Sequence, residues 1–393
     1  MKKKIQTIII VLTAGLSDDA LGQGIESFLE RVEETSEQLE LLRSQRESDK
    51  AGAQCGKAPA SPEIGFNYLW GSPSDEERNR YDISVTQELD MPTVYRRRRE
   101  FTSAQEDMAE ASYEIGRQEL RREAVELYIE MAAREEFDSL QSERMRMLRA
   151  VSESIEKKYM AGRASIIELT KARVALTEAH NDSCQNVIGK LRVRQKIAAT
   201  IGVGVTVTDR FEMPTTRLAM PFEEWYAGTN IAELEAAKKE NELATRVCAM
   251  TRAERLPTMT VGYVSERTSE TTLQGIGIGV RLPMWERRSE MRRAEKQKET
   301  TEMRQATETQ VRRHEMEGAY REAQALGETA DAMSRAIGET NITDQLMRAY
   351  ETGQIDVFRL SDETEELFAL RQREIEARRD AALATWRIKI YER

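Results

Sequence analysis

Apolar residues recur every three or four positions over two long stretches of the chain that contain no proline. The first stretch begins near Tyr95 and ends near Tyr159, and a shorter stretch with the same spacing follows it. A second pair of stretches repeats this arrangement later in the chain. Because this spacing places apolar side chains on one face of an α-helix, it predicts long amphipathic helices. The predicted helices span residues 95–160, 165–201, 286–350 and 356–391, and the longest would extend about 95 Å.

Ahead of each long helix pair, apolar and polar residues alternate instead. Ile64, Phe66, Tyr68 and Trp70 lie two positions apart, and the stretch before Pro283 alternates in the same way. A period of two is typical of β-strands with one apolar face. The predicted strands span residues 62–70, 81–91, 257–265 and 274–284 and form two hairpins.

Both pairs of predicted helices are joined by segments that share one motif. A glycine follows a tyrosine by three positions in each segment, at Gly162 and at Gly353. Glycine adopts the left-handed conformation that ends a helix. Ser165 and Asp356 stand three residues further on, where their side chains can cap the next helix. We therefore predict a sharp helix–turn–helix tip at each site.

These matches indicate that the chain contains an internal two-fold repeat. The two tip glycines are 191 residues apart, and so are Pro92 and Pro283. Pro62 and Pro257 are 195 residues apart, so the difference of four residues falls between the two strands of a hairpin. A hairpin loop tolerates a change in length better than a helix or a strand. The predicted repeats span residues 23–213 and 214–393.

The composition favours long solvated helices over a compact domain. One third of the 393 residues are charged and only 6% are aromatic. The net charge is −10, and both signs are distributed along the chain. A nucleic-acid-binding surface would require a basic patch, so this charge distribution argues against such a function.

No pattern in the sequence is typical of a catalytic, cofactor or metal site. The chain has three cysteines without metal-ligand spacing, two histidines in polar sequence, and no glycine-rich phosphate motif. We therefore predict that the protein is not an enzyme. Residues 1–22 combine Lys2, Lys3 and Lys4 with an apolar run and small residues, which predicts a secretory signal peptide.

The predicted strands have the length and alternation of strands that cross an outer membrane. Trp70, Tyr81, Tyr263 and Trp285 are expected at strand ends, where aromatic residues commonly mark the membrane interface. Four strands cannot close into a barrel, and lipid leaves no open sheet edge unpaired. The chain must therefore combine its strands with those of further copies of itself.

The order of these motifs resembles the TolC-like outer-membrane efflux factor family. The resemblance rests on Leu256-Pro257 at a strand start, on the segment from Gly279 to Trp285, and on the two Tyr-x-x-Gly tips. It implies a homotrimer with a twelve-stranded barrel in the outer membrane and a long α-helical barrel in the periplasm. It also implies that the tips dock onto a periplasmic adaptor protein and an inner-membrane pump. The expected docking residues are Gly162, Arg163, Gly353 and Gln354.

The resemblance also implies a closed pore near the second tip, although the sequence departs from the family there. Family members often carry acidic residues six and nine positions beyond the tip glycine. Here these positions hold Arg359 and Asp362 in the second copy, and Glu168 and Lys171 in the first. The candidate constriction residues are Asp356, Arg359, Asp362 and Glu363. Arg359 is expected to pair with an acidic residue on a neighbouring helix.

The sequence leaves open one alternative function and the identity of the exported substrate. A periplasmic coiled-coil adaptor or scaffold would also contain long helices, although an adaptor has one helical hairpin and this chain has two. The exported substrate of an efflux duct is equally open, because the sequence does not distinguish drugs, metal ions and proteins.

Overall fold

The computed structural model describes residues 24–70, 79–202, 209–218, 220–268, 271–283, 288–338 and 342–392. Within these ranges the chain is mostly helical and contains one small antiparallel sheet, which confirms the predicted combination of long helices and short strands. The predicted signal peptide and Trp285 lie outside the described residues.

The first half of the chain contains two short helices, a hairpin and two long helices. These are α1 (Ile25–Thr35), α2 (Glu37–Gln54), β1 (Glu63–Trp70), β2 (Asn79–Leu89), α3 (Pro92–Met160) and α4 (Ile166–Lys196), the last followed by a π-helical turn over Ile197–Ile201.

The second half has a similar order of elements. It contains α5 (Phe222–Gly228), α6 (Ala232–Ala253), β3 (Thr258–Arg267), β4 (Thr272–Arg281), α7 (Arg288–Ile337), α8 (Ile342–Glu351) and α9 (Val357–Lys389). The stretch predicted as one helix over 286–350 is thus described as α7 and α8, and residues 339–341 between them lie outside the described residues.

Local chemistry explains where several helices begin. Pro92 occupies the first turn of α3, where its missing N–H has no helical partner to lose, so the helix starts three residues before the predicted position. Ser36 separates α1 from α2 because its backbone is extended and its side chain accepts a hydrogen bond from the backbone N–H of Leu39.

The 69-residue helix α3 packs against helices from both halves of the chain. It contacts α2 and α6 toward the sheet and α4 and α9 toward the opposite end, while α7 packs on α6 and α9. Ion pairs accompany these contacts, among them Arg246–Glu100 (3.3 Å), Arg378–Glu136 (2.8 Å) and Arg144–Asp182 (2.9 Å). The result is an elongated bundle with the sheet at one end and both helical tips at the other.

An aromatic cluster joins the N-terminal helix to the middle of α3. The ring of Tyr128 lies 5.5 Å from that of Phe28 and 5.1 Å from that of Phe211, measured between centroids. The end of the chain is held nearby, since the indole N–H of Trp225 donates to the Glu392 carboxylate at 3.0 Å.

No helix within the described residues has the length and apolar composition required to cross a membrane.

Candidate functional site: two helical tips and an uncovered sheet face

Both predicted tips are sharp helix reversals centred on glycine. Gly162 has φ +68° and Gly353 has φ +73°, which places both in the left-handed region. At the first tip, the backbone N–H of Arg163 donates to the carbonyl of Lys158 at 2.8 Å. At the second, the N–H of Gln354 donates in the same way to the carbonyl of Ala349, also at 2.8 Å. These bonds satisfy carbonyls at the helix end that would otherwise have no partner.

The helix after each tip begins with a side-chain cap. The Ser165 hydroxyl accepts from the N–H of Glu168, and the Glu168 carboxylate accepts from the N–H of Ser165. This backbone N–H stabilises the carboxylate and so lowers the pKa of Glu168 below its usual value. At the second tip, the Asp356 carboxylate accepts from the N–H of Arg359 at 2.8 Å. Asp356 therefore has a structural role in addition to its predicted place at the pore.

The four predicted docking residues lie together at the end of the molecule. Gly162, Arg163, Gly353 and Gln354 are all exposed. The space around both glycines is open, since a Cβ at either position would have no atom within 4 Å. The structure thus places these residues on an accessible surface.

The two tips differ in charge and in apolar exposure. Residues 156–173 contain five Lys and Arg against two Glu, whereas the equivalent residues 347–364 contain two Arg against four Asp and Glu. Beside the first tip, Met160, Ile166 and Ile167 are exposed. The first tip is therefore basic with an apolar surface, and the second is acidic.

Two contacts join the tips to each other. The Lys158 ammonium donates to the Tyr350 hydroxyl at 3.2 Å and lies 4.4 Å from the centre of its ring. The Lys171 ammonium lies 3.5 Å from the Asp362 carboxylate. Lys171 stands at a position where the family resemblance implies a pore residue, whereas the sequence does not indicate its partner. The constant offset of 191 residues was the available signal, because it makes Lys171 and Asp362 equivalent positions of the two halves.

The candidate constriction residues divide into two sets of contacts. The Arg359 guanidinium pairs with the Glu363 carboxylate at 3.2 Å, one turn along the same helix. The expectation that Arg359 pairs with an acidic residue of a neighbouring helix is therefore not met within this chain. Lys171 of α4 forms the interhelical pair instead, with Asp362. The side chains of Arg359 and Asp362 are exposed.

At the other end of the molecule, the four strands form one sheet in the order β1-β2-β3-β4, with antiparallel neighbours throughout. The hairpins of the two halves meet where β2 pairs with β3. The register aligns Ile64 with Val85, Val85 with Tyr263, and Tyr263 with Ile276. Tyr263 consequently lies in the middle of its strand rather than at the expected strand end.

This alignment collects most of the large apolar side chains of the four strands on one face. Its apolar members are Ile64, Phe66, Tyr68, Trp70, Tyr81, Ile83, Val85, Leu89, Met259, Val261, Tyr263, Ile276, Ile278 and Val280. Most are exposed, including Ile276 at 78% and Ile278 at 72%. No element within the described residues covers this face, which we call the apolar sheet face.

The opposite face, here called the polar sheet face, carries mainly glycine, hydroxyl and charged residues, and its large apolar members are Leu69, Val264 and Leu273. Gly275 and Gly277 of β4 belong to it, and a Cβ at either position would have no atom within 4 Å. Arg80 pairs with Glu266 at 2.9 Å toward one end of the strands, and Arg281 pairs with Glu88 at 2.8 Å toward the other. The sheet is therefore amphipathic over most of its length.

The outer edges of β1 and β4 lack a strand partner within the described residues. An unpaired strand edge presents free N–H and C=O groups that can bind another strand. Because neighbouring strands are antiparallel, β1 and β4 also run antiparallel to each other. A β1 edge and a β4 edge from two copies can therefore pair without breaking the antiparallel order.

No protein-family model matches the sequence, and no curated protein sequence matches it. Solved structures nevertheless match over almost the whole chain. The outer-membrane channel OprN matches with a TM-score of 0.75 at 16% identity, over 93% of this chain and 90% of that chain. The Campylobacter jejuni CmeC outer membrane channel matches with a TM-score of 0.70 at 12% identity, over 93% and 85%.

The outer membrane protein VceC from Vibrio cholerae gives a TM-score of 0.69 at 16% identity, over 92% of this chain and 96% of that chain. Sequence identities this low establish similarity of fold. The chain therefore has the fold of these outer-membrane proteins, as its resemblance to TolC-like proteins predicts.

Proposed function

We propose that the protein is a TolC-like efflux factor that forms the outer-membrane exit duct of a tripartite efflux or type I secretion system. Three copies combine their strands into a twelve-stranded barrel in the outer membrane. Their long helices form an α-helical barrel across the periplasm. The duct is passive, without catalysis or a cofactor.

The apolar sheet face is the observation that carries this proposal. Water disfavours a continuous apolar surface of this size, whereas the hydrocarbon of a membrane favours it. The polar sheet face, with its glycines and ion pairs, suits the water-filled interior of a barrel. A periplasmic adaptor or scaffold offers no such environment, because a soluble sheet requires a covering layer on its apolar face.

The open edges of β1 and β4 support assembly from several copies. Lipid provides no hydrogen-bond partners, so a sheet within a membrane must close on itself. An even number of strands per copy keeps each neighbouring pair antiparallel around the ring. Three copies of four strands satisfy both conditions and give the twelve strands of the proposed barrel.

The order of elements supports the proposed two-fold repeat. Helix α2 starts at Glu37 and α6 at Ala232, which reproduces the offset of 195 residues found ahead of the strands. Both tip glycines have positive φ, and the helix that follows each turn begins with a side-chain cap. The two halves therefore supply similar parts to the proposed helical barrel.

The tips support docking onto a periplasmic adaptor that connects the duct to an inner-membrane pump. The four docking residues are exposed at the end of the molecule away from the sheet. The basic, partly apolar first tip and the acidic second tip would alternate around a trimer. We infer that the adaptor offers acidic and basic surfaces in the same alternation.

Disulfide crosslinking between strand edges tests the assembly directly. Cys55, Cys184 and Cys248 are first replaced by Ser. Cysteine is then placed at Phe66 of β1 together with Ile276, Ile278 or Val280 of β4, in three separate variants. Within one copy β2 and β3 separate these strands by about 14 Å, twice the reach of a disulfide. Oxidation should therefore produce covalent trimers in outer-membrane fractions for at least one register.

A matched series uses Asn67 in place of Phe66. Its side chain belongs to the polar sheet face, so it points away from the same three partners and should not crosslink to them. A chain that purifies without detergent as a stable monomer, with no crosslink in any register, would exclude the duct and favour the soluble scaffold.

A further inference from the structure

A cysteine and a histidine lie one turn apart on the exposed surface of α4, remote from the tips and from the sheet. The Sγ atom of Cys184 is 3.7 Å from the Nε2 atom of His180. Both residues are exposed. His180 is one of two histidines in the whole chain, so the contact places together two of its five Cys and His residues.

The separation of these two atoms suits a shared metal ion. Zinc binds thiolate sulfur at about 2.3 Å and imidazole nitrogen at about 2.0–2.1 Å, most often with tetrahedral geometry. Two such ligands of one tetrahedral ion are about 3.5 Å apart. The observed 3.7 Å is close to that value, so both side chains can bind one metal ion without a change in the helix backbone.

We propose that Cys184 and His180 form a binding site for a thiophilic divalent cation such as Zn²⁺ or Cd²⁺. The thiol releases its proton to solvent, and the sulfur and the imidazole nitrogen each donate one electron pair to the ion. Thiolate and imidazole together select such ions over Mg²⁺ and Ca²⁺, which prefer oxygen ligands.

The site has two protein ligands. The nearest carboxylate in sequence, that of Asp182, pairs with Arg144 at 2.9 Å. Within the described residues no group of three or more His, Cys, Asp and Glu is arranged to hold a metal ion. Water therefore completes the coordination, and the ion exchanges readily instead of stabilising the fold. The inference depends on α4 alone and is independent of the proposed duct.

Cadmium titration of the purified full-length protein tests this site, because a cadmium–thiolate bond gives an ultraviolet charge-transfer band. The test variant carries Cys55→Ser and Cys248→Ser, which leaves Cys184 as its one thiol. We expect the band to saturate at one Cd²⁺ per chain. Adding His180→Ala should weaken binding by about tenfold or more, since it removes one of two protein ligands.

The chain supplies a matched control in Cys55, which is also exposed on a helical turn. Its Sγ atom contacts the backbone carbonyl of Ala51 instead of an imidazole. A variant with Cys55 as its one thiol should bind Cd²⁺ as weakly as the His180→Ala variant. Equal affinity in all three proteins would show binding by a lone thiol and overturn the proposal. Circular dichroism verifies that the three proteins have the same helix content.

Discussion

The side chains of Lys171 and Asp362 meet although 191 residues separate them, with Nζ 3.5 Å from Oδ1. That separation equals the offset between the two tip glycines, so the contact joins equivalent positions of the two halves. The pair links α4 to α9 one turn above the tips. It therefore ties the first helical hairpin to the second at the place where the closed pore is expected.

Breaking this pair should favour an open tip. Exposed ion pairs contribute at most about 1 kcal/mol, so Asp362→Ala should shift the ratio of open to closed channels by up to about fivefold. Single-channel recording in planar bilayers measures the shift as a larger open fraction. Arg359→Ala should alter cation preference with little effect on the open fraction, because Arg359 pairs within its own helix.

Two further variants separate the ion pair from a general loss of charge. Glu365→Ala removes another exposed carboxylate of α9 and should leave the open fraction unchanged. The exchange Lys171→Asp with Asp362→Lys restores opposite charges and should restore the parent behaviour. If the exchanged variant opens as often as Asp362→Ala, the contact does not hold the tip closed.

The tip glycines should resist substitution for conformational reasons alone. Gly162→Ala and Gly353→Ala place a Cβ in open space but force a left-handed backbone. We expect each to lower stability by about 1–2 kcal/mol. Gly318→Ala is the matched control, because its Cβ also meets open space while its backbone is helical. That change should raise stability by up to about 1 kcal/mol. Urea unfolding compares the three, and equal midpoints for all would rule out the conformational argument.

The parts of the fold that sequence reasoning predicted depend on local patterns. Alternation at Ile276 and Ile278 predicts a strand because neighbouring side chains in a strand point to opposite faces. The tips follow from glycine and a capping residue within a few positions of each other. Such signals require no knowledge of distant partners.

The features that were missed depend on contacts between distant residues. Ser36 separates α1 from α2, and its hydroxyl donates to the carbonyl of Ile201, 165 residues away. The pairing of β2 with β3, and the contact of Lys158 with Tyr350, also join the two halves of the chain. Periodicity describes one segment at a time, so it cannot specify which segments meet.

Tyr128, at the centre of the aromatic cluster, should contribute more to the free energy of unfolding than a tyrosine beside the first tip. Tyr128 is 1% exposed and packs on Phe28 and Phe211. Tyr128→Ala should lower the free energy of unfolding by about 3–5 kcal/mol. Tyr159→Ala removes a partly exposed tyrosine beside the first tip and should cost under about 0.5 kcal/mol. Urea unfolding distinguishes the two, and similar losses would contradict the assigned core.

Alkaline pH should destabilise the same cluster. Burial raises the pKa of Tyr128, because the charged phenolate is poorly solvated inside the protein. The folded chain then retains a proton that the unfolded chain loses above about pH 10, so stability falls as pH rises from there toward the folded pKa. Tyr128→Phe lacks this proton. Its stability should decline less over that range, and an unchanged decline would assign the effect to other groups.

A single added charge should prevent assembly when it is placed on the apolar sheet face and leave assembly unchanged when it is placed on the polar sheet face. Ile278 belongs to the apolar sheet face, and its neighbour Gly277 belongs to the polar sheet face with open space above it. If the apolar face contacts lipid, Ile278→Lys should cost about 2–4 kcal/mol near the middle of the membrane. Outer-membrane fractions should then contain little of the crosslinked trimer. Gly277→Lys places the same ammonium in the water-filled interior and should assemble at the parent level. Normal assembly of Ile278→Lys, or equal loss in both variants, would show that the apolar face does not contact lipid.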